Sequence, residues 1–310
     1  MLSRVAESVF WLARYMERTI GLLRVLRTNY IASQDDTNGF SWKSVLQTYG
    51  YLQAGGIESI QYNSRKVLEY VMLDRDNDAS LINNITRSRE NARAVQDHIP
   101  KEVWQALNDY HHLIRETNIA RLLRHGDPVF AFDILLKQGM CLHGTIDVSM
   151  ARDEAYNYLN IGRYIERCII SIDVLLIHLK ENSLDLSLSD DAPSWRYLLY
   201  SLSGYELYLK NNKGLLRASL VMEQLLHSPY FVHSISYCLL QAQRYFQRLR
   251  EESSGESYQS VEFLLGKALN NVKYSVSGTN DTQAISNILL STRKNIFEAT
   301  HALDQNYFGI

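Results

Sequence analysis

Proline is scarce in this chain, four in 310 residues, about a quarter of the usual frequency. Pro100, Pro128, Pro193 and Pro229 all sit where a helix could begin. A first-turn proline is tolerated because its missing N–H has no intrahelical partner there. Few breakers, all placed as starters, predict an all-helical protein. Cysteine is scarcer still: Cys141, Cys168 and Cys238 are odd in number, widely spaced and free of any C-x-x-C pattern, which reads as three reduced thiols in a cytoplasmic protein. The formal charge is only −2, so no general attraction to nucleic acid or an anionic membrane is expected. No apolar run approaches the roughly 18 residues of a membrane span. Arg4, Glu7, Arg14 and Glu17 interrupt the first apolar stretch, which excludes a signal-peptide core.

Motifs of chemistry are missing too. There is no G-x-x-x-x-G-K-[ST] phosphate loop, no G-x-G-x-x-G, no G-x-S-x-G and no H-E-x-x-H, so no cofactor or metal is predicted. His111 and His112 are adjacent, so on a helix they point about 100° apart and cannot chelate one ion together. Twenty tyrosines are present. Tyr197, Tyr200, Tyr205 and Tyr208 read as core or interface packing with hydroxyls at the rim, because the basic residues of a nucleic-acid stacking platform do not surround them.

What is present is a repetition. Residues 6–27 read against residues 155–176 at a constant offset of 149, with 8 identities in 22 ungapped positions. These include Arg14/Arg163, Tyr15/Tyr164, Glu17/Glu166 and Arg18/Arg167. An offset of almost half the chain predicts two related halves, about 1–150 and 151–310, forming one domain about a pseudo-two-fold axis. Val5, Val9, Leu12, Met16, Ile20 and Leu23 recur at helical spacing, and Tyr158, Ile161, Ile165, Ile169, Ile172 and Leu176 repeat the stripe, so each copy is a long helix with a buried face. Further helices are expected near 58–73, 79–97, 101–124, 129–149, 194–209, 214–226, 230–251, 257–275 and 282–306, ten to twelve in total. Polar breaks at Gln34 to Gly39, Asp74 to Asp78, His125 to Asp127, Asn211 to Gly214 and Glu252 to Gly255 separate them, with a longer loop from Glu181 to Ala192.

Helical geometry places Arg14 one turn before Glu17 and Arg163 one turn before Glu166. Ala13 and Gly162 precede the two glutamates by one turn, which lets a neighbouring helix approach and bury each carboxylate. A buried carboxylate needs a cation or several hydrogen bonds, and a guanidinium supplies both. Either a Glu–Arg network that sets helix register or a ligand site follows. Arg87, Arg89, Glu90, Asn91, Arg93 and Asp97 make the densest polar helix segment, with Arg89 and Arg93 sharing a face and Arg93 aligned with Asp97. It reads as a salt-bridged surface or as arginines that hold a carboxylate or phosphate. Arg152, Asp153 and Glu154 open the second long helix, where acids complement the helix dipole.

These motifs resemble the bacterial alpha-E domain family. The resemblance rests on Met1 to Arg4, Trp11 to Arg18, Arg152 to Glu154 leading to Gly162 to Arg167, Ser88 to Val95 and Glu102 to Asn108. It extends over nearly the whole chain and is looser after residue 195, at Ser228 to Val232. The family is all-helical and named for a Glu-Arg motif, and it implies no established reaction. Its members stand beside ATP-grasp ligase-like and transglutaminase-like proteins, which implies a role in peptide synthesis or modification. The expected function is therefore a non-catalytic binding or scaffold subunit of such a system. The alternative is an enzyme with an acid–base site in the Glu/Arg cluster. Arginine stays protonated and is a poor proton shuttle, which favours the first.

Overall fold

The apolar stripes read from the sequence become the two longest helices, α1 (Ser3–Asp35) and α9 (Glu154–Glu181). Val5, Val9, Leu12, Met16, Ile20 and Leu23 are all buried, as are Tyr158, Ile161, Ile165, Ile169 and Ile172; Leu176 is half-buried. Burial extends beyond the stripe. Phe10, Leu22 and Leu26 on α1, and Leu159, Cys168 and Leu175 on α9, are also covered. A helix apolar on more than one side is a central helix with neighbours on several faces.

The computed structural model describes residues 1–35, 39–50, 52–181, 193–213, 216–249, 256–275 and 281–309. Asp36 to Asn38, most of the loop from Glu181 to Ala192, Gly214, and Glu252 to Gly255 lie outside the described residues. The chain divides into two compact units, Trp11–Ala151, and Met1–Phe10 together with Arg152–Ile310, so the boundary falls inside α1. The described residues are helical, without strands.

In the first unit α1 is followed by α2 (Lys43–Tyr49), α3 (Ala54–Ile60), α4 (Ser64–Leu73), α5 (Leu81–Ala94), α6 (Lys101–Arg115), α7 (Thr117–His125) and α8 (Pro128–Ser149). Here α6 packs against α5 and α8, while α7 packs against α4 and α8. In the second unit α9 is followed by α10 (Pro193–Ser201), α11 (Tyr205–Asn212), α12 (Ala218–His227), α13 (Ile235–Gln247), α14 (Glu256–Lys273) and α15 (Thr282–Leu303), with a π turn at Asp304–Phe308. There α9 packs on α13 and α15, and α14 lies against both of those helices.

Fifteen α-helices among the described residues exceed the ten to twelve expected. The surplus comes from short helices and from breaks inside the expected stretches. The stretch 101–124 divides at Glu116, whose backbone is extended, although no proline or glycine stands there. The stretch 194–209 divides at Ser203, which has a φ of 55°, so the four tyrosines lie on two helices, with Tyr200 and Tyr205 in ring contact across the turn. Pro100 and Pro128 do begin helices, with Asp127 capping Val129 N at 2.9 Å. Pro193 opens α10. Pro229 instead follows α12 and precedes α13 by a turn. A proline just past a helix end stops it, because the helix cannot continue through the missing N–H.

Candidate functional site

The Arg-Tyr-x-Glu-Arg element is helical with a buried glutamate in both copies, but a different arginine is buried in each. On α1, Arg14 and Glu17 are 3% and 1% exposed, a turn apart on the buried side. Glu17 Oε2 lies 3.4 Å from Nε2 of His143 on α8. That approach is possible because Gly139, one turn before His143, meets Ile20: a Cβ at Gly139 would fall 2.7 Å from Ile20 Cγ1. The outward residues of the element are Tyr15 and Arg18. The Arg18 guanidinium stands 5.7 Å from the Tyr15 ring centre, Arg87 of α5 stands 6.0 Å from it, and Arg14 lies 4.5 Å over Trp11. Guanidinium over an aromatic face is attractive by about 0.5–2 kcal/mol, more where water is excluded.

On α9, Glu166 is 2% exposed and Arg167 is buried with it, while Arg163 is half-buried. Gly162 packs against the α1 backbone, where an added Cβ would stand 2.4 Å from Phe10 O. Arg163 and Arg167 stand 5.9 and 5.3 Å from the ring of Tyr164. Tyr164 stacks on Tyr245 of α13 at 5.9 Å and 14°, and Tyr245 contacts Tyr156 in turn. Arg152 lies 4.1 Å over Tyr156, and Arg248 lies 4.9 Å over Tyr245. Burial pushes the Tyr164 hydroxyl to a higher pKa, against the opposing pull of Arg163 and Arg167, so the ring stays a neutral platform.

The other charged residues named from sequence do not all join these faces. On α5, Arg89 donates from Nε to Asn108 Oδ1 at 2.7 Å and from Nη1 to Glu90 Oε1 at 2.7 Å, and its guanidinium covers Trp104 at 5.2 Å. Glu90 also faces Arg93 at 3.5 Å. Asn91 is half-buried. Asp97 lies in a separate 3-10 turn, Gln96–His98, beyond the end of α5, so the expected alignment with Arg93 on one helix face is not formed. Asp153 Oδ1 accepts from Tyr156 N at 3.1 Å, capping α9, and Glu154 meets the Met1 amino group at 2.6 Å. Both are end-of-helix roles. Among the described residues no three His, Cys, Asp or Glu side chains converge where a metal ion could sit.

The hydroxyls and thiol beside the element are committed to backbone. Ser88 Oγ donates to Leu12 O at 3.1 Å and Ser171 Oγ to His233 O at 2.8 Å. Cys168 Sγ faces Ile235 O at 3.9 Å, and burial holds its thiol well above the ordinary value.

A family described as "a predicted alpha-helical domain with a conserved ER motif" matches residues 1–308. The chain belongs to this Alpha-E family. Glu-Arg occurs in the Alpha-E chain only at Glu17-Arg18 and Glu166-Arg167, so the family's ER motif falls within one or both of the repeated elements. Uncharacterised proteins of Mycobacterium bovis and Mycobacterium tuberculosis are each 26% identical to it over 183 residues, covering 53% of this chain and 21% of theirs. The matched stretch is thus about a fifth of these curated relatives. No solved structure matches. No helix among the described residues is long and apolar enough to cross a membrane.

Sequence reading missed His143 and the α13 aromatics Tyr237 and Tyr245 of this Alpha-E chain. One signal for the first was present: Gly139 stands four residues before His143, a small residue on the same helix face as a polar one. The tyrosines have no such mark, because their contacts with α9 join segments distant in sequence.

Proposed function

We propose that this Alpha-E chain is a non-catalytic binding subunit of an ATP-grasp-type peptide synthesis or modification system, in the cytoplasm. The observation that carries the reading is the commitment of Ser88, Ser171 and Cys168 to backbone carbonyls beside the two ER elements. A nucleophile must give its proton to a base that activates it, and these groups donate theirs to backbone carbonyls, which are not such bases. What the elements present instead is guanidinium groups held on aromatic rings, which suits recognition of a carboxylate or phosphate. In the mycobacterial relatives most of the chain lies outside the matching stretch, so there an Alpha-E segment is joined to further polypeptide. That favours a working unit assembled with other parts, of which ligase-like and transglutaminase-like proteins are the proposed ones.

The same reading includes an internal duplication with pseudo-two-fold symmetry. The α1 and α9 elements are 149 residues apart. The serines that start α5 and α13, Ser80 and Ser234, and the aspartates that cap α8 and α15, Asp127 and Asp281, are both 154 apart. Helix starts at a nearly constant offset favour a repeated supersecondary order.

The Glu17–His143 pair favours the second reading, an enzyme with its own acid–base site, because a buried carboxylate beside an imidazole can hold and pass a proton. One assay separates them. Purified chain is incubated with ATP and amino acids, with and without an ATP-grasp ligase of the same cell, and ADP and peptide products are followed. Activity that needs both proteins and survives His143→Gln supports the binding subunit. Turnover by this chain alone, lost in His143→Gln, establishes the enzyme.

A further inference from the structure

The helices α14 and α15 form an open groove of about 700 Å³ lined by Phe263, Gly266, Lys267, Asn271, Lys294, Asn295 and Glu298 among others. A volume in this range is that of small-molecule sites. Asn295 lines the groove although only 6% of it is exposed, and among the described residues its amide has no hydrogen-bond partner. Its amide atoms are not sealed from solvent, so they are open to a ligand that enters the groove. Asn271 is held in one orientation, because its Nδ2 donates to Ser291 Oγ at 2.6 Å and Thr292 Oγ1 at 2.9 Å. With both amide hydrogens engaged, Oδ1 is the atom it can offer a ligand, as an acceptor. Lys267 forms no ion pair among the described residues, and Lys294 approaches Glu298 only at 3.8 Å. Phe263, 68% exposed, supplies an apolar wall.

We propose that this groove binds a small carboxylate that carries an adjacent N–H and an apolar side chain, the end of a peptide or an N-acylated amino acid. The carboxylate meets Lys267 and Lys294, the N–H donates to Asn271 Oδ1 or Glu298, Asn295 completes the polar contacts, and the side chain lies on Phe263. Two cations against one carboxylate leave a single positive charge for the ligand's negative one. The inference does not rest on the proposed function, since it uses none of the ER residues.

Saturation-transfer NMR and calorimetric titration of the full chain test it, with N-acetyl-L-leucine, N-acetyl-L-leucinamide, the tripeptide Gly-Gly-Leu and inorganic phosphate as probes. Saturable binding of N-acetyl-L-leucine is expected, with the uncharged leucinamide about tenfold weaker or more. Lys267→Glu and Lys294→Glu, both at exposed positions, weaken it similarly. Gly266→Leu is the blocking variant: Gly266 lines the groove, and a Cβ there meets nothing nearer than Gln243 Nε2 at 3.8 Å, so binding is expected to disappear, and an unchanged melting temperature shows that the helix accepts the side chain. Tighter binding of Gly-Gly-Leu assigns a peptide end, and the reverse assigns the free acylated amino acid. Absence of saturation, equal binding of the leucinamide or of phosphate, or unaltered binding in Gly266→Leu overturns the proposal.

Discussion

Glu17 and Glu166 occupy positions where a carboxylate is costly to strand. Each is at most 2% exposed, and removing one partner of a buried charged pair leaves the other without compensation, at about 3–5 kcal/mol. Glu17→Ala and Glu166→Ala are therefore expected to lower unfolding free energy by that amount in urea titrations, and two neutral variants would show that neither charge is structurally engaged. Gly162 gives a sharper sign. Replacing a helical glycine by alanine ordinarily stabilises by roughly 0.5–1 kcal/mol. At Gly162 the new methyl would stand 2.4 Å from Phe10 O, so Gly162→Ala is expected to destabilise by about 1–3 kcal/mol through overpacking. A stabilised variant would mean that the two backbones are not in contact. The burial of both glutamates was legible in the sequence, because a small residue one turn earlier and an apolar stripe beside them are local signals. The His143 contact with Glu17 joins separate helices, and helical periodicity carries no information about which helices meet.

At the scale of elements, α9 shows how a pattern fixes an axis but not its neighbours. The three- and four-residue spacing of Tyr158, Ile161, Ile165 and Ile169 defined one buried face, yet the opposite side carries His178, 7% exposed and packed at 4.3 Å on Trp195 of α10. Burial lowers the His178 pKa from near 6.5 to about 4. The neutral ring is the folded form, so its contribution is complete above pH 6.5. As pH falls from 6.5 towards 4 the unfolded chain takes up the proton first, and stability drops by up to about 3 kcal/mol. Denaturant melts between pH 7 and pH 4 should show this loss, and His178→Phe should flatten it. An unchanged pH profile in the variant would assign the acid sensitivity to other groups. The break at Glu116 makes the complementary point. No local residue preference marks it, and packing of α7 against α4 and α8 accompanies the new helix direction, a tertiary override of the 101–124 pattern.

For the whole molecule, the repeat offset sets expected halves of about 1–150 and 151–310 within one domain; of the two boundaries between the compact units, one falls between Ala151 and Arg152. The other could not be read, because Phe10 and Trp11 are consecutive residues of one uninterrupted helix and no proline, glycine or polar run separates them. Contacts decide the membership of Met1–Phe10. The Phe10 ring lies 5.2 Å from Phe308, Phe308 lies 5.9 Å from Tyr158, and Gly162 closes on the Phe10 carbonyl. Phe10 is fully buried, so Phe10→Ala is expected to cost about 3–5 kcal/mol. The location of the loss matters more than its size. Amide exchange should accelerate around Tyr158 to Gly162 and Phe308, more than 140 residues from the mutation in sequence, while α5, α6 and α8 keep their protection. Acceleration confined to the first turns of α1 would instead mean that residues 1–10 fray on their own and contribute little to the unit that contains α9.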